Sequence, residues 1–171
     1  VNELYAEMFS ELYGIETIGL RYFNVFGRRQ DPNGAYAAAI PKFIKLLISH
    51  EPPVIYGDGE QSRDFTYIEN VIQANELAAT TENPGALNTV YNVAYGEATT
   101  VNQLIDALKE NLAQFDPEIR NINAVKGEIR KGDVLHSLAS VDKARKLLGY
   151  NPQHSLTDGL KEAIEWYWHD L

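Results

Sequence analysis

A chain of 171 residues that is 44% hydrophobic and 23% charged carries enough apolar material for a domain core and too little compositional bias for disorder. Its formal charge of −9 gives no electrostatic reason to bind nucleic acid or an anionic membrane, and the absence of cysteine excludes disulfides and thiolate metal sites. No window approaches the roughly 18 uncharged apolar residues of a membrane span, and no basic-then-apolar leader opens the sequence, so the expectation is a cytoplasmic protein.

The sequence opens on a helical pattern. Leu4, Met8 and Leu12, with Tyr5, Phe9 and Tyr13, recur at i, i+4 until Gly14 ends the run. With no N-cap visible before it, the chain is expected to be part of something longer. Ile15 to Tyr22 reads as a buried strand of the kind a parallel sheet covers on both faces. It breaks into Asn24, Arg28, Arg29 and Gln30, and polar side chains at the carboxyl end of a strand are where α/β proteins present ligand sites.

Ala35 to Ser49 then shows an apolar stripe at Ile40, Phe43, Ile44, Leu47 and Ile48, with Pro41 tolerable only in the first turn. Val54 to Tyr56 is a short strand cut off by Gly57-Asp58-Gly59, which leads to Arg63-Asp64-Phe65-Thr66-Tyr67-Ile68. A helix is expected over Ile68 to Thr81, a strand over Thr89 to Ala94, and a helix over Val101 to Leu112 capped by Thr99 or Thr100. Ile119 to Val125 suggests another strand before a charged loop, Lys126 to Asp133. Helices over Asp142 to Leu148 and Leu156 to Trp168 close the pattern, the latter capped by Ser155 or Thr157. The alternation is that of an α/β fold.

Few of these residues define chemistry alone. Gly57-Asp58-Gly59 lacks the third glycine and the following helix of a dinucleotide fingerprint and reads as a turn. His50, His136, His154 and His169 are scattered, none at metal-ligand spacing, and Ser137 beside His136 does not make a triad. Arg63 and Arg130 allow two readings: structural ion pairs with Asp64 and Asp133, or two planar guanidiniums converging on one diphosphate.

In order along the chain, Arg21-Tyr22-Phe23-Asn24-Val25-Phe26-Gly27, Tyr56-Gly57-Asp58-Gly59-Glu60-Gln61-Ser62-Arg63-Asp64-Phe65 and Arg130-Lys131-Gly132-Asp133 resemble the extended short-chain dehydrogenase/reductase family of NAD-dependent nucleotide-sugar epimerases and dehydratases. Arg28 to Tyr36 looks most like the UDP-N-acetylhexosamine 4-epimerases. The resemblance implies the C-terminal half of such a protein, because its Gly-rich NAD loop and catalytic Tyr-x-x-x-Lys have no counterpart here. The implied fold is the end of a Rossmann-type parallel sheet plus the smaller mixed α/β substrate-binding domain. Residues 1–34, and 54–95 in part, would belong to the former and the remainder to the latter.

Carried over residue by residue, the resemblance implies that Asn24 holds the diphosphate or sugar, that Arg63 and Arg130 neutralise the diphosphate, and that Asp133 accepts from a ribose hydroxyl. Tyr56 would lie against uracil in a slot lined by Ala39 and Val54. Gln30, Ala38 and Ser137 would surround the hexose, a serine at 137 leaving room for an acetamido group. The backbone around Phe23 and Val25 would approach NAD, bound mainly by the other half. Asn70 departs from the family's usual acidic residue, a change expected to concern the cap of the following helix. The implied partners are a UDP-sugar, the N-terminal half and a second copy. The alternatives are a non-catalytic binding or structural module, and half of a dehydratase or decarboxylase.

Overall fold

The computed structural model describes residues 1–33, 39–129, 132 and 134–171. The first element, α1 (Asn2–Tyr13), ends where expected: Gly14 adopts a left-handed φ of 65°, and its amide donates to the Ser10 carbonyl. The strand after it begins later than the apolar run suggests. β1 is Ile18–Tyr22, because Thr17 is held by a reciprocal pair of bonds with Asn88, whose own φ is 53°. β1 runs parallel to β6 (Thr89–Val93), with Ile18 opposite Thr89 and Tyr22 opposite Val93.

β1 is not buried on both faces as the sequence suggested. Its residues grade from half-buried to exposed, and β6 is its one partner among the described residues. The remaining strands form short pairs: β2 (Val25–Phe26) parallel to β5 (Thr66–Tyr67), β3 (Val54–Tyr56) parallel to β8 (Val125–Gly127), and β4 (Ser62–Arg63) antiparallel to β7 (Thr99–Thr100). The strand expected over Ile119 to Val125 is corrected. Pro117–Asn121 is a 3₁₀ turn, and the strand starts only at Val125, the last residue of the expected one, and runs on into what had read as the start of a charged loop. Pro117 fixes φ at the head of that turn and Asp116 accepts from the Glu118 amide, so Ile119 is buried by a turn rather than a strand.

Helices α2 (Ala39–Ile48), α4 (Val101–Leu112) and α6 (Leu156–Asp170) pack together around one core. Ile40, Ile44 and Leu47 of α2, Leu104, Leu108 and Leu112 of α4, and Leu160, Ala163, Ile164 and Tyr167 of α6 are almost fully buried there. Two capping boxes set the starts of helices: Thr100 with Gln103 on α4 and Ser155 with Asp158 on α6. A second core forms where α3 (Ile68–Thr80) and α5 (Asp142–Leu148) cover Tyr91 and Val93 of β6. No helix among the described residues is long and apolar enough to cross a membrane.

Gly159 explains how α6 lies flush on β2 and β5, because a Cβ there would come within 2.8 Å of the Phe26 ring and 2.6 Å of the Tyr67 ring. Tyr167 completes that contact by donating from its hydroxyl to the Gly27 carbonyl at 2.6 Å. The end of β2, from which the loop Arg28–Asn33 departs, is thus fixed from behind by a helix at the far end of the sequence.

Asn70 is not a helix cap. It sits at 1% exposure in the first turn of α3, donates from Nδ2 to the His154 carbonyl, and accepts at Oδ1 from the amides of Gln153 and His154. A carboxylate could take the two amides but would set an acceptor against the His154 carbonyl. The amide therefore suits this contact better than the acid expected there.

Candidate functional site

The first two of the three motifs meet at a cavity of about 440 Å³. Asn24 enters it from the turn between β1 and β2, where its backbone takes a φ of 34°, a region asparagine tolerates better than most residues. Its Nδ2 donates to the Asp64 carbonyl at 3.1 Å, and its own carbonyl accepts from the Thr66 amide. One amide proton and the amide oxygen remain for other partners.

The opposite wall is β3 and the turn that follows it. Val54 and Tyr56 line the cavity, and the Tyr56 ring packs so closely on β8 that a Cβ on Gly127 would lie 3.1 Å from it. Gly57 and Gly59 turn the chain with φ of 92° and 87°. This turn docks on the N-terminus of α4: the Asn102 amide donates to the Gly59 carbonyl, the Val101 amide to the Gln61 carbonyl, and Asn102 Nδ2 to Glu60. Gln61 lines the cavity and donates back to the Tyr56 carbonyl. Gly57-Asp58-Gly59 is therefore a turn, and its work is to set Tyr56, Gln61 and Arg63 around one space.

Arg63 lines the same space from β4, with Nη1 donating to the Ser62 carbonyl at 2.9 Å. Asp64, the partner suggested by adjacency, is buried, and accepts instead from the amides of Tyr95, Gly96 and Ala139. Burial pushes its carboxyl above the ordinary range, against the lowering effect of the amides of Ala139, Gly96, Tyr95 and Glu97. Asp64 thus ties the segment after β6 and the one before α5 to the strand that carries Arg63.

Val134 to Ser137, whose pairing the sequence did not reveal, runs alongside β4. The Ser62 amide donates to the Leu135 carbonyl, the Ser137 amide to the Ser62 carbonyl, and Ser62 Oγ lies 3.0 Å from His136 Nδ1. Ser137 is therefore beside Arg63 in the sheet without lining the cavity itself. Gln30 also stands behind the lining: its Nε2 donates to the Val25 carbonyl, and its buried Oε1 has no partner.

Of the residues expected to bind a nucleotide sugar, Asn24, Ala39, Val54, Tyr56 and Arg63 line this one cavity, as does Val25 of the two expected near NAD. Phe23 packs on the second core, with its amide donating to the Val93 carbonyl. Ala38, Arg130 and Asp133 lie outside the described residues. Sequence reasoning missed Lys42, Phe43 and Leu46, which line the cavity from α2 together with Ala39. Their i, i+3, i+4, i+7 spacing from Ala39 was a legible signal, masked by the stronger apolar stripe beside it. Among the described residues no group of three or more His, Asp or Glu could hold a metal ion.

The model of the NAD-dependent epimerase/dehydratase family matches residues 1–94, and the chain belongs to that family. Over 165 residues it is 33% identical to a UDP-glucuronate 4-epimerase of Thermodesulfobacterium geofontis, covering 96% of this chain and 47% of that protein. Among solved structures it is similar to the UDP-N-acetylglucosamine 4-epimerase of Methanobrevibacter ruminantium M1 in complex with UDP-N-acetylmuramic acid, with 40% identity and a TM-score of 0.86 over 99% of this chain and 51% of that one. It is also similar to the UDP-glucuronic acid 4-epimerase of Bacillus cereus in complex with UDP-glucuronic acid and NAD, with 29% identity and a TM-score of 0.80 over 98% and 50%. The chain spans about half the length of the curated relatives it matches.

Proposed function

We propose that this chain supplies the UDP-sugar-binding part of an NAD-dependent nucleotide-sugar 4-epimerase that acts on a UDP-N-acetylhexosamine or its uronic acid. The observation that carries the reading is the convergence of Asn24, Ala39, Val54, Tyr56 and Arg63, which lie on four different elements or turns, on one cavity. Arg63 and Asn24 would hold the diphosphate, joined by Arg130. Tyr56, Val54 and Ala39 would enclose the uracil, and Asp133 would accept from the ribose. Gln30, Ala38 and Ser137 would border the hexose.

The division of labour is physical. Epimerisation at one sugar carbon requires the nucleotide to be gripped while the hexose turns, so charge-assisted contacts belong at the diphosphate and looser ones at the sugar. Each charge-assisted hydrogen bond of this kind contributes roughly 1.5–3 kcal/mol before desolvation is subtracted. Bound NAD would supply the hydride acceptor. The Phe23 amide and Val25 carbonyl are committed within the chain, so these residues can offer the dinucleotide apolar surface at the strand ends.

The reading places the protein in the cytoplasm. It also assigns the exposed apolar face of α1 to contact with a second copy or with the rest of a longer polypeptide. The chain has no Tyr-x-x-x-Lys and no Gly-rich dinucleotide loop, so by itself it would bind without turning over. Incubating the purified 171-residue chain with NAD and UDP-N-acetylglucosamine should leave the sugar unchanged. Formation of the 4-epimer would contradict the reading.

A further inference from the structure

Ser62 meets residues 134–137 with its backbone and its side chain together. Its amide donates to the Leu135 carbonyl, its carbonyl accepts from the Ser137 amide, and its Oγ lies 3.0 Å from His136 Nδ1. Either tautomer of the imidazole can close that last bond, because a serine hydroxyl both donates and accepts. Ser62 is buried, whereas Val134, Leu135, His136 and Leu138 are exposed, so apolar burial does little to hold this segment on β4. Its polar contacts with Ser62 hold it there, and the next anchor is the Ala139 amide on Asp64.

The two carbonyls that close this bridge also receive Arg63. Nη1 donates to the Ser62 carbonyl at 2.9 Å and reaches the Leu135 carbonyl at 3.5 Å. The guanidinium that lines the cavity therefore rests in part on an acceptor from the neighbouring segment. The backbone pairing there is a single parallel bridge, Ser62 opposite His136. A side-chain bond across that same pair fixes the spacing and register of the two backbones. Slippage of the segment along β4 would take the Leu135 carbonyl away from Nη1, and a planar guanidinium depends on orientation in a way that a point charge does not.

We propose that His136 is a positioning residue for the diphosphate contact: with Ser62 Oγ it locks residues 134–137 in register on β4 and so sets the direction of the Arg63 guanidinium in the cavity. The proposal rests on the nucleotide-sugar reading above and extends it to a side chain that does not line the cavity. His136 contacts no substrate and moves no proton in this assignment. It acts through Arg63.

Calorimetric titration with UDP and with uridine tests the assignment on the 171-residue chain and its variants His136→Ala, His136→Asn, Ser62→Ala and Leu138→Ala, whose melting temperatures should agree within a few degrees. His136→Ala should lower UDP affinity about fivefold and leave uridine affinity unchanged. Ser62→Ala should do the same, and the double variant should lose no more than either alone. An asparagine side chain places a polar atom as many bonds from its Cα as Nδ1 is, so His136→Asn should recover most of the loss. Leu138→Ala, an exposed truncation beside the same segment, should have no effect. In an Arg63→Gln background the loss from His136→Ala should vanish, which a general loosening of the fold would not produce. Equal losses for UDP and uridine, an undiminished loss in the Arg63→Gln background, no recovery in His136→Asn, or no loss in His136→Ala would each overturn the proposal. A wild-type chain that binds no UDP would overturn the nucleotide-sugar reading and this proposal with it. UDP affinity that falls in Arg63→Gln and is indifferent to His136 would remove this proposal alone.

Discussion

α1 and α4 are both twelve-residue helices with apolar residues at helical spacing, and they end in opposite environments. On α4, Leu104, Ile105, Leu108 and Leu112 are no more than 4% exposed and pack between α2 and α6. On α1, Leu4, Tyr5, Met8, Phe9, Leu12 and Tyr13 are between 42 and 69% exposed, and no residue of the helix is buried. Among the described residues, the side-chain hydrogen bonds from α1 to the strand beside it are those of one ion pair: Glu3 receives two bonds from the Arg21 guanidinium. Amphipathic spacing therefore specifies that a helix has a face to bury, and other elements decide whether the chain itself buries it.

The comparison breaks most sharply under truncation of one leucine on each helix. Leu108→Ala should destabilise the chain by about 2–5 kcal/mol, because it removes buried methyl groups and leaves a cavity between three helices. Leu12→Ala should change the urea midpoint by an amount within about 0.5 kcal/mol and reduce any self-association seen by light scattering. A large loss of stability in Leu12→Ala would mean that α1 is integrated into the fold after all.

A smaller effect separates the polar ties in the same way. Asp64 is buried and receives backbone amides from two distant segments, whereas Glu3 is exposed and its pairing with Arg21, which holds its carboxyl below the ordinary value, is screened by solvent. Asp64→Asn should cost about 1–3 kcal/mol, since an amide nitrogen would be set against backbone N–H groups. The loss should depend on pH with a definite sign. Burial raises the Asp64 carboxyl above its ordinary value, so folding takes up a proton in the interval between the two values. The stability this group contributes is fully present below the ordinary value and is lost as pH rises through the raised one. The advantage of wild type over Asp64→Asn in urea unfolding should therefore grow on acidification; an advantage that shrank would reverse the assigned direction.

Much of the fold was legible because local chemistry and packing agree. Gly14 and Gly149 end their helices in left-handed conformations, and the Thr100 and Ser155 caps are where the sequence puts them. What was not legible depended on distant partners. Val125–Gly127 becomes a strand only through β3, whereas the Ile119 turn, shaped locally by Asp116 and Pro117, is the exception, a local signal outweighed by the apolar run. Asn70 reads as a departure from pattern until the Gln153–His154 backbone is placed against it.

The candidate site divides along the same line. Asn24, Tyr56 and Arg63 could be read from their motifs, but Gln61 gains its place from the docking of a glycine turn on α4, and Lys42 from the face of α2 that lines the cavity. Asp64 shows the converse. Its neighbour Arg63 suggested an ion pair, and the fold uses the carboxylate to gather backbone amides instead.

The central claim, that this cavity grips a nucleoside diphosphate through Arg63, is tested most directly by titrating UDP into the 171-residue chain and its Arg63→Gln variant. The account predicts measurable binding to wild type, an affinity at least about tenfold lower in the variant, and the same melting temperature for both within a few degrees. Equal UDP affinity for the two folded proteins would contradict it.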